Sequence, residues 1–149
     1  MNNELLKEAL TSRFADKEIG ESFGFPAIRV EKDELFHMAD MLASEESFCM
    51  DMLVCETAVD WNDHFELVCH LRSVAKGHEM ILKIQVERAG KPVLSSLCGI
   101  WQAAELFEDE IYDMFGIYFE NHPFLRRIML DDMFEGYPLR KDFVNAEAV

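Results

Sequence analysis

The chain has 149 residues, enough for one domain with a real core, and half of them are hydrophobic, including 12 Phe. A formal net charge of -15 argues against a free-standing nucleic-acid binder, whose footprint is basic, and against direct adhesion to an anionic membrane surface. No apolar run approaches the roughly 20 residues that span a bilayer. The start, MNNELLKEAL, has no cationic segment leading into an apolar one, so no secretory signal is expected and a cytoplasmic protein is.

The first element is a short helix over Glu4 to Phe14, with Asn3 as its cap and Leu6, Leu10 and Phe14 on one stripe. Gly20 to Pro26 breaks it, and Ala27 to Val30 reads as a short strand. Asp33 is the expected N-cap of a second helix reaching Ala43, on the i, i+3, i+4, i+7 spacing of Leu35, Met38, Ala39 and Leu42. A strand-rich block follows. Met50 to Val59 is apolar and β-branched. From His64 to Ser73, Phe65, Leu67, Cys69 and Leu71 face one side and His64, Glu66, His70 and Arg72 the other. Met80, Leu82, Ile84 and Val86 alternate with Lys83, Gln85 and Glu87, and Val93 to Leu97 makes a last short strand. The connections Asp60 to Asp63, Ala75 to His78 and Ala89 to Pro92 are short turns by composition, which favours antiparallel neighbours because parallel ones need long crossovers. The expected fold is α+β: an antiparallel meander of about four strands, helices on one face, and an extended C-terminal arm. The expected division is an α+β domain over 1–120 and an arm over 121–149.

Cys49, Cys55, Cys69 and Cys98 form no CxxC pair and sit in apolar surroundings. They read as free thiols, and a cluster held by this chain alone would need tighter spacing. His64, Glu66 and His70 share a strand face, but His64 and His70 lie roughly 20 Å apart along a strand, too far for one ion. That face reads as solvated or partner-facing. No nucleotide-binding, serine-hydrolase or zinc-protease motif is present.

The stretch Trp101 to Phe143 dominates the rest. Its first half, about Gln102 to Phe115, is an amphipathic helix ended by Gly116, with Ala104, Phe107, Ile111, Met114 and Phe115 as its buried stripe. Glu105, Glu108 and Asp109 lie largely opposite, Glu110 and Asp113 form a flank, and these acids read as a solvated or docking face. The second half lacks helical or strand period. It carries Arg126-Arg127 and Arg140-Lys141 among Pro123, Gly136 and Pro138, with Phe124, Leu125, Phe134, Tyr137 and Phe143 as apolar anchors. Two arrangements are open. The arm reaches out to another protein, or it folds back with its arginines paired to the acidic helix.

EDEIYDMFGIYF, NHPFLRRIML and EGYPLRKDF resemble the signature of the complex I 30 kDa subunit family. That family includes the counterpart subunits of energy-converting, membrane-bound nickel–iron hydrogenases. The resemblance is tightest over Trp101 to Phe143 and stays collinear back to Ala27, including Val59-Asp60. By motif, Asp113, Gly116, His122, Pro123, Arg126, Arg127, Gly136, Pro138, Leu139, Arg140, Lys141 and Asp142 occupy family positions. The chain departs at Asp109, where the family has arginine, and at Asn121, Tyr137 and Phe143.

The resemblance implies a subunit without cofactor or active site of its own. Such a subunit sits on the cytoplasmic side of the cell membrane in an ion-pumping redox complex, meeting the membrane only through that complex. Its implied partners are the large subunit, with the quinone site or nickel–iron centre, and the small iron–sulfur subunit. The implied contact residues are Asp113, His122, Pro123, Arg126, Arg127, Tyr137, Arg140, Lys141 and Asp142. The short, divergent chain points to the hydrogenase branch over an NADH:quinone oxidoreductase. A soluble adaptor, or an enzyme using the His64 face, are the alternatives.

Overall fold

A computed structural model describes residues 2–145; the expected arm end at 146–149 lies outside the described residues. Helix α1 spans Asn3–Arg13 and is capped by Asn2, whose side chain accepts from the Leu5 N–H at 2.9 Å. The cap is thus one residue earlier than expected, because the Asn3 side chain donates instead to the Gly24 carbonyl at 3.0 Å. Strands β1 (Glu18–Ser22) and β2 (Phe25–Val30) form a hairpin through Phe23 and Gly24, both at positive φ. The segment expected only to break the helix therefore contributes an edge strand. Helix α2 spans Leu35–Ser44. A short 3-10 turn over Lys32–Glu34 introduces it, so Asp33 lies inside that turn rather than capping the helix.

Strands β3 (Met52–Asp60), β4 (His64–Ser73) and β5 (His78–Glu87) make the expected antiparallel meander. The sheet has five strands in the order β1-β2-β5-β4-β3, and β2 joins β5 in parallel. It is therefore mixed, with α2 and the β3–β4 pair inside the long crossover that a parallel neighbour requires. Strand β6 (Val93–Ser95) leaves this sheet. It pairs in parallel with β7 (Tyr118–Glu120), and helix α3 (Ala104–Phe115) lies between them in sequence.

One core unites the three helices with one sheet face. Leu6 and Leu10 of α1, Leu35 and Leu42 of α2, and Ile111 and Phe115 of α3 meet Phe65, Leu67, Leu71, Met80, Leu82 and Ile84. The opposite face holds a small cluster of Ala27, Val68 and Ile81, with Phe25 and Val59 packed against it. Trp101 anchors the entry to α3, donating its indole N–H to the Met50 carbonyl at 2.9 Å. Gly116 ends the helix in the left-handed conformation, φ 72°.

Candidate functional site

Helix α3 buries its apolar stripe as expected, and Glu110 is exposed, but three of the acids expected on a solvated or docking face are buried. Glu108, Asp109 and Asp113 are 0%, 2% and 0% exposed. For Asp109 and Asp113 the reason lies in residues 121–145, which fold back over the helix, whereas Glu108 turns to Ser96 and Leu97 after β6. An irregular segment has no ladder of its own, so its backbone N–H groups must find other acceptors. Carboxylates on α3 and at the end of β3 supply several of them.

Asp113 is the hub. Its Oδ2 accepts from the N–H groups of Ile128, Met129 and Leu130 at 3.2, 2.8 and 3.0 Å, and its Oδ1 takes Arg127 Nη1 at 3.0 Å. Arg127 also donates to the Gly136 carbonyl at 2.9 Å, with its guanidinium 5.0 Å from the Tyr137 ring centre. Asp109 accepts from the Arg126 N–H at 3.2 Å. His122 is committed at both nitrogens: Nε2 donates to the Glu105 carbonyl at 2.9 Å, and Nδ1 accepts from the Phe124 N–H at 3.1 Å. Arg140 donates from Nε to the Phe115 carbonyl at 2.6 Å and lies between the rings of Phe65 and Tyr137.

A second anchor comes from the sheet. Asp60, at the end of β3, binds Arg88 and accepts from the N–H groups of Asn62 at 2.8 Å and Lys141 at 2.9 Å. The Arg88 hydrogen bond, followed by these backbone N–H groups, holds the Asp60 carboxyl well below the usual range. Arg88 also reaches Asp142 at 2.8 Å. Between the anchors, the Tyr137 ring covers Gly116, where a Cβ would lie 2.5 Å from Cε2 of that ring.

Each basic pair is therefore split. Arg127 and Arg140 point inward, toward α3 and the core. Arg126 is exposed and lies over Phe124, with no ion pair to a described residue, and the Lys141 side chain is exposed as well. Asp113, His122 and Tyr137 face into the fold, and Pro123 and Asp142 lie at the surface. The outer face of the arm also carries Phe124, Met129, Met133, Leu139 and Val144, with Met133 85% exposed. Arg88 is not among the residues expected at the site, and Asp60 is expected only as the start of a turn and as part of the Val59-Asp60 resemblance.

Two other clusters fall to simpler roles. Glu66 is buried under Arg29 at 2.9 Å and Lys83 at 3.6 Å, while His64 pairs with Asp63 and His70 lies near Glu79. On this strand face Glu66 forms ion pairs with Arg29 and Lys83, and the two histidines each meet a separate carboxylate. Cys98, Glu108 and His122 bring one potential ligand atom each within 4.8 Å of one another. Glu108 already accepts from the Leu97 N–H at 2.7 Å and the Ser96 hydroxyl at 2.6 Å. Burial pushes the Cys98 thiol up to about 12. With both His122 nitrogens engaged as well, the set fits a hydrogen-bond network better than a metal centre.

The family described as respiratory-chain NADH dehydrogenase, 30 Kd subunit, matches residues 28–149. An NADH-quinone oxidoreductase subunit of Moorella thermoacetica is 37% identical over 138 residues, 91% of each chain. The one from Geotalea uraniireducens is 34% identical over 139 residues, 90% of this chain and 83% of its own. The Hyphomonas neptunium relative is 35% identical over 116 residues and is longer, with 56% of its length matched. Among solved structures, a chain of the membrane-bound sulfane sulfur reductase, an archaeal respiratory membrane complex, superposes with a TM-score of 0.80 at 26% identity, covering 97% of this chain and 87% of that one. With Gly116 ending α3 and the HPFLRRIML and EGYPLRKDF segments folded back over that helix and the end of β3, this chain belongs to the 30 kDa subunit family of the respiratory-chain NADH dehydrogenase.

Proposed function

We propose that the chain is a non-catalytic structural subunit of a membrane-bound respiratory redox complex, and that residues 121–145 are its docking surface. Membership of a respiratory-chain subunit family makes it a component of such a complex. No helix among the described residues is long and apolar enough to cross a membrane, which suits peripheral attachment through other subunits. The observation that carries the reading is the two-sided arm. Its inner side is pinned by Asp113 and Asp60, and its outer side leaves Phe124, Met129, Met133 and Leu139 exposed beside Arg126 and Lys141. Apolar anchors rimmed by cations, on a backbone already ordered, suit a protein interface.

The partners we propose are the large subunit, with the quinone site or metal centre, and the small iron–sulfur subunit, on the cytoplasmic side. The relatives above are quinone oxidoreductase subunits and a sulfur reductase chain. They lend no support to the hydrogenase expectation, and a quinone-oxidoreductase type is the reading favoured here. A mild tag pull-down from native membranes tests it, with nickel, iron and flavin assayed in the eluate. Co-purification of an iron–sulfur subunit and a large subunit without nickel is expected. Nickel would place the chain in a hydrogenase, and a lone metal-free chain would contradict membership of any complex.

A further inference from the structure

Beneath α3 lies a buried acid that the docking surface does not use. Glu56 is 2% exposed on β3, opposite Cys69 in the register, and so faces the helix side of the sheet. Neither of its oxygens accepts a hydrogen bond from a described residue, and no cation among those residues pairs with it. A bare carboxylate in that position would carry a large desolvation cost with nothing to offset it. Its polar neighbour is Glu108 of α3, itself fully buried.

The two acids are not equivalent. Glu108 accepts from the Leu97 N–H, the Ser96 hydroxyl and, at 3.5 Å, the Cys98 thiol. Those bonds favour its charged form, whereas the Glu56 oxygens meet no hydrogen-bond donor among the described residues. The other titratable groups around the pair are the thiols of Cys55 on β3, Cys69 on β4 and Cys98 after β6, with Glu110 on α3 and His122 at the start of the arm. Burial, then the charge of Glu108, pushes Glu56 well above an ordinary glutamate, and burial raises Glu108 as well.

We propose that Glu56 and Glu108 share one proton, and that this proton clamps α3, with the arm pinned to it, onto β3. Glu56 carries the proton and donates to Glu108. When the proton leaves for water, two carboxylates remain facing each other in a dry site, and α3 loosens from the sheet. Asp109 and Asp113 ride on that helix, so the seat of the arm loosens with it. The inference stands whether or not the arm docks on a partner.

The test uses the full chain and Glu56→Gln, which keeps the size and a hydrogen-bond donor but cannot titrate. A raised acid binds its proton more tightly in the folded state, so its contribution is full below the ordinary glutamate range and is lost as pH rises. Relative to wild type, the thermal midpoint of Glu56→Gln is therefore expected to gain by about 3 °C or more between pH 5 and pH 8. A difference that stays constant, or falls with pH, overturns the proposal. Infrared spectroscopy of wild type supplies a second readout, which decides alone if the variant does not fold. A protonated-carboxyl band at neutral pH is expected, and its absence overturns the proposal.

Discussion

Asp113 holds Arg127 from both ends of a short loop: one oxygen takes the guanidinium at 3.0 Å, and the other takes the three backbone amides that follow it. With Asp113 fully buried and Arg127 nearly so, Asp113→Asn leaves a buried cation and three amides short of an anion. The expected cost is about 3 kcal/mol in denaturant unfolding. Limited proteolysis within 121–145 should quicken in the same variant.

Gly116→Ala tests the contact at the helix end. The left-handed backbone alone costs a residue with a Cβ about 1–2 kcal/mol. The new methyl would also strike Tyr137. Combining it with Tyr137→Ala should recover the steric part of the loss but not the backbone part, which a double-mutant cycle separates.

Acid should loosen the far end of the arm. The Asp60 carboxyl is held low by Arg88 and by backbone amides, so its contribution is present above the ordinary aspartate range and is lost as pH falls through the folded value. Wild type should lose stability below about pH 4, and Asp60→Asn should show a shallower acid slope. An unchanged slope would mean that Asp60 does not anchor Lys141.

Arg126→Ala with Lys141→Ala should leave the isolated chain within about 0.5 kcal/mol of wild type, since both side chains are exposed. The same pair of changes should reduce recovery of the chain with its complex. Arg127→Ala and Arg140→Ala should instead destabilise the isolated chain.

Much of this arrangement is legible in the residues. The period-two alternation from His64 to Ser73 and from Met80 to Val86 marks the strands and their core faces, and Gly116 marks the end of α3. What stays hidden depends on remote pairing. Strand β1, Glu-Ile-Gly-Glu-Ser, is polar because it lies at an edge, and the parallel seat of β2 beside β5 joins segments about fifty residues apart. Glu108, Asp109 and Asp113 look solvated because apolar periodicity weighs only one side of a helix. The burial of Asp109 and Asp113 follows from an arm that must borrow acceptors, and that of Glu108 from the Ser96 and Leu97 donors it meets after β6. The split of each basic pair is likewise invisible in two adjacent residues, since it depends on which carbonyl, carboxylate or ring each one meets.

Hydrogen exchange on the isolated full-length chain tests most directly whether the arm is a preformed surface. The amides of Ile128, Met129, Leu130 and Lys141 are expected to exchange slowly, and the first three to become fast in Asp113→Asn. Fast exchange at all four in wild type would contradict the account, because the arm would then gain its order only on a partner.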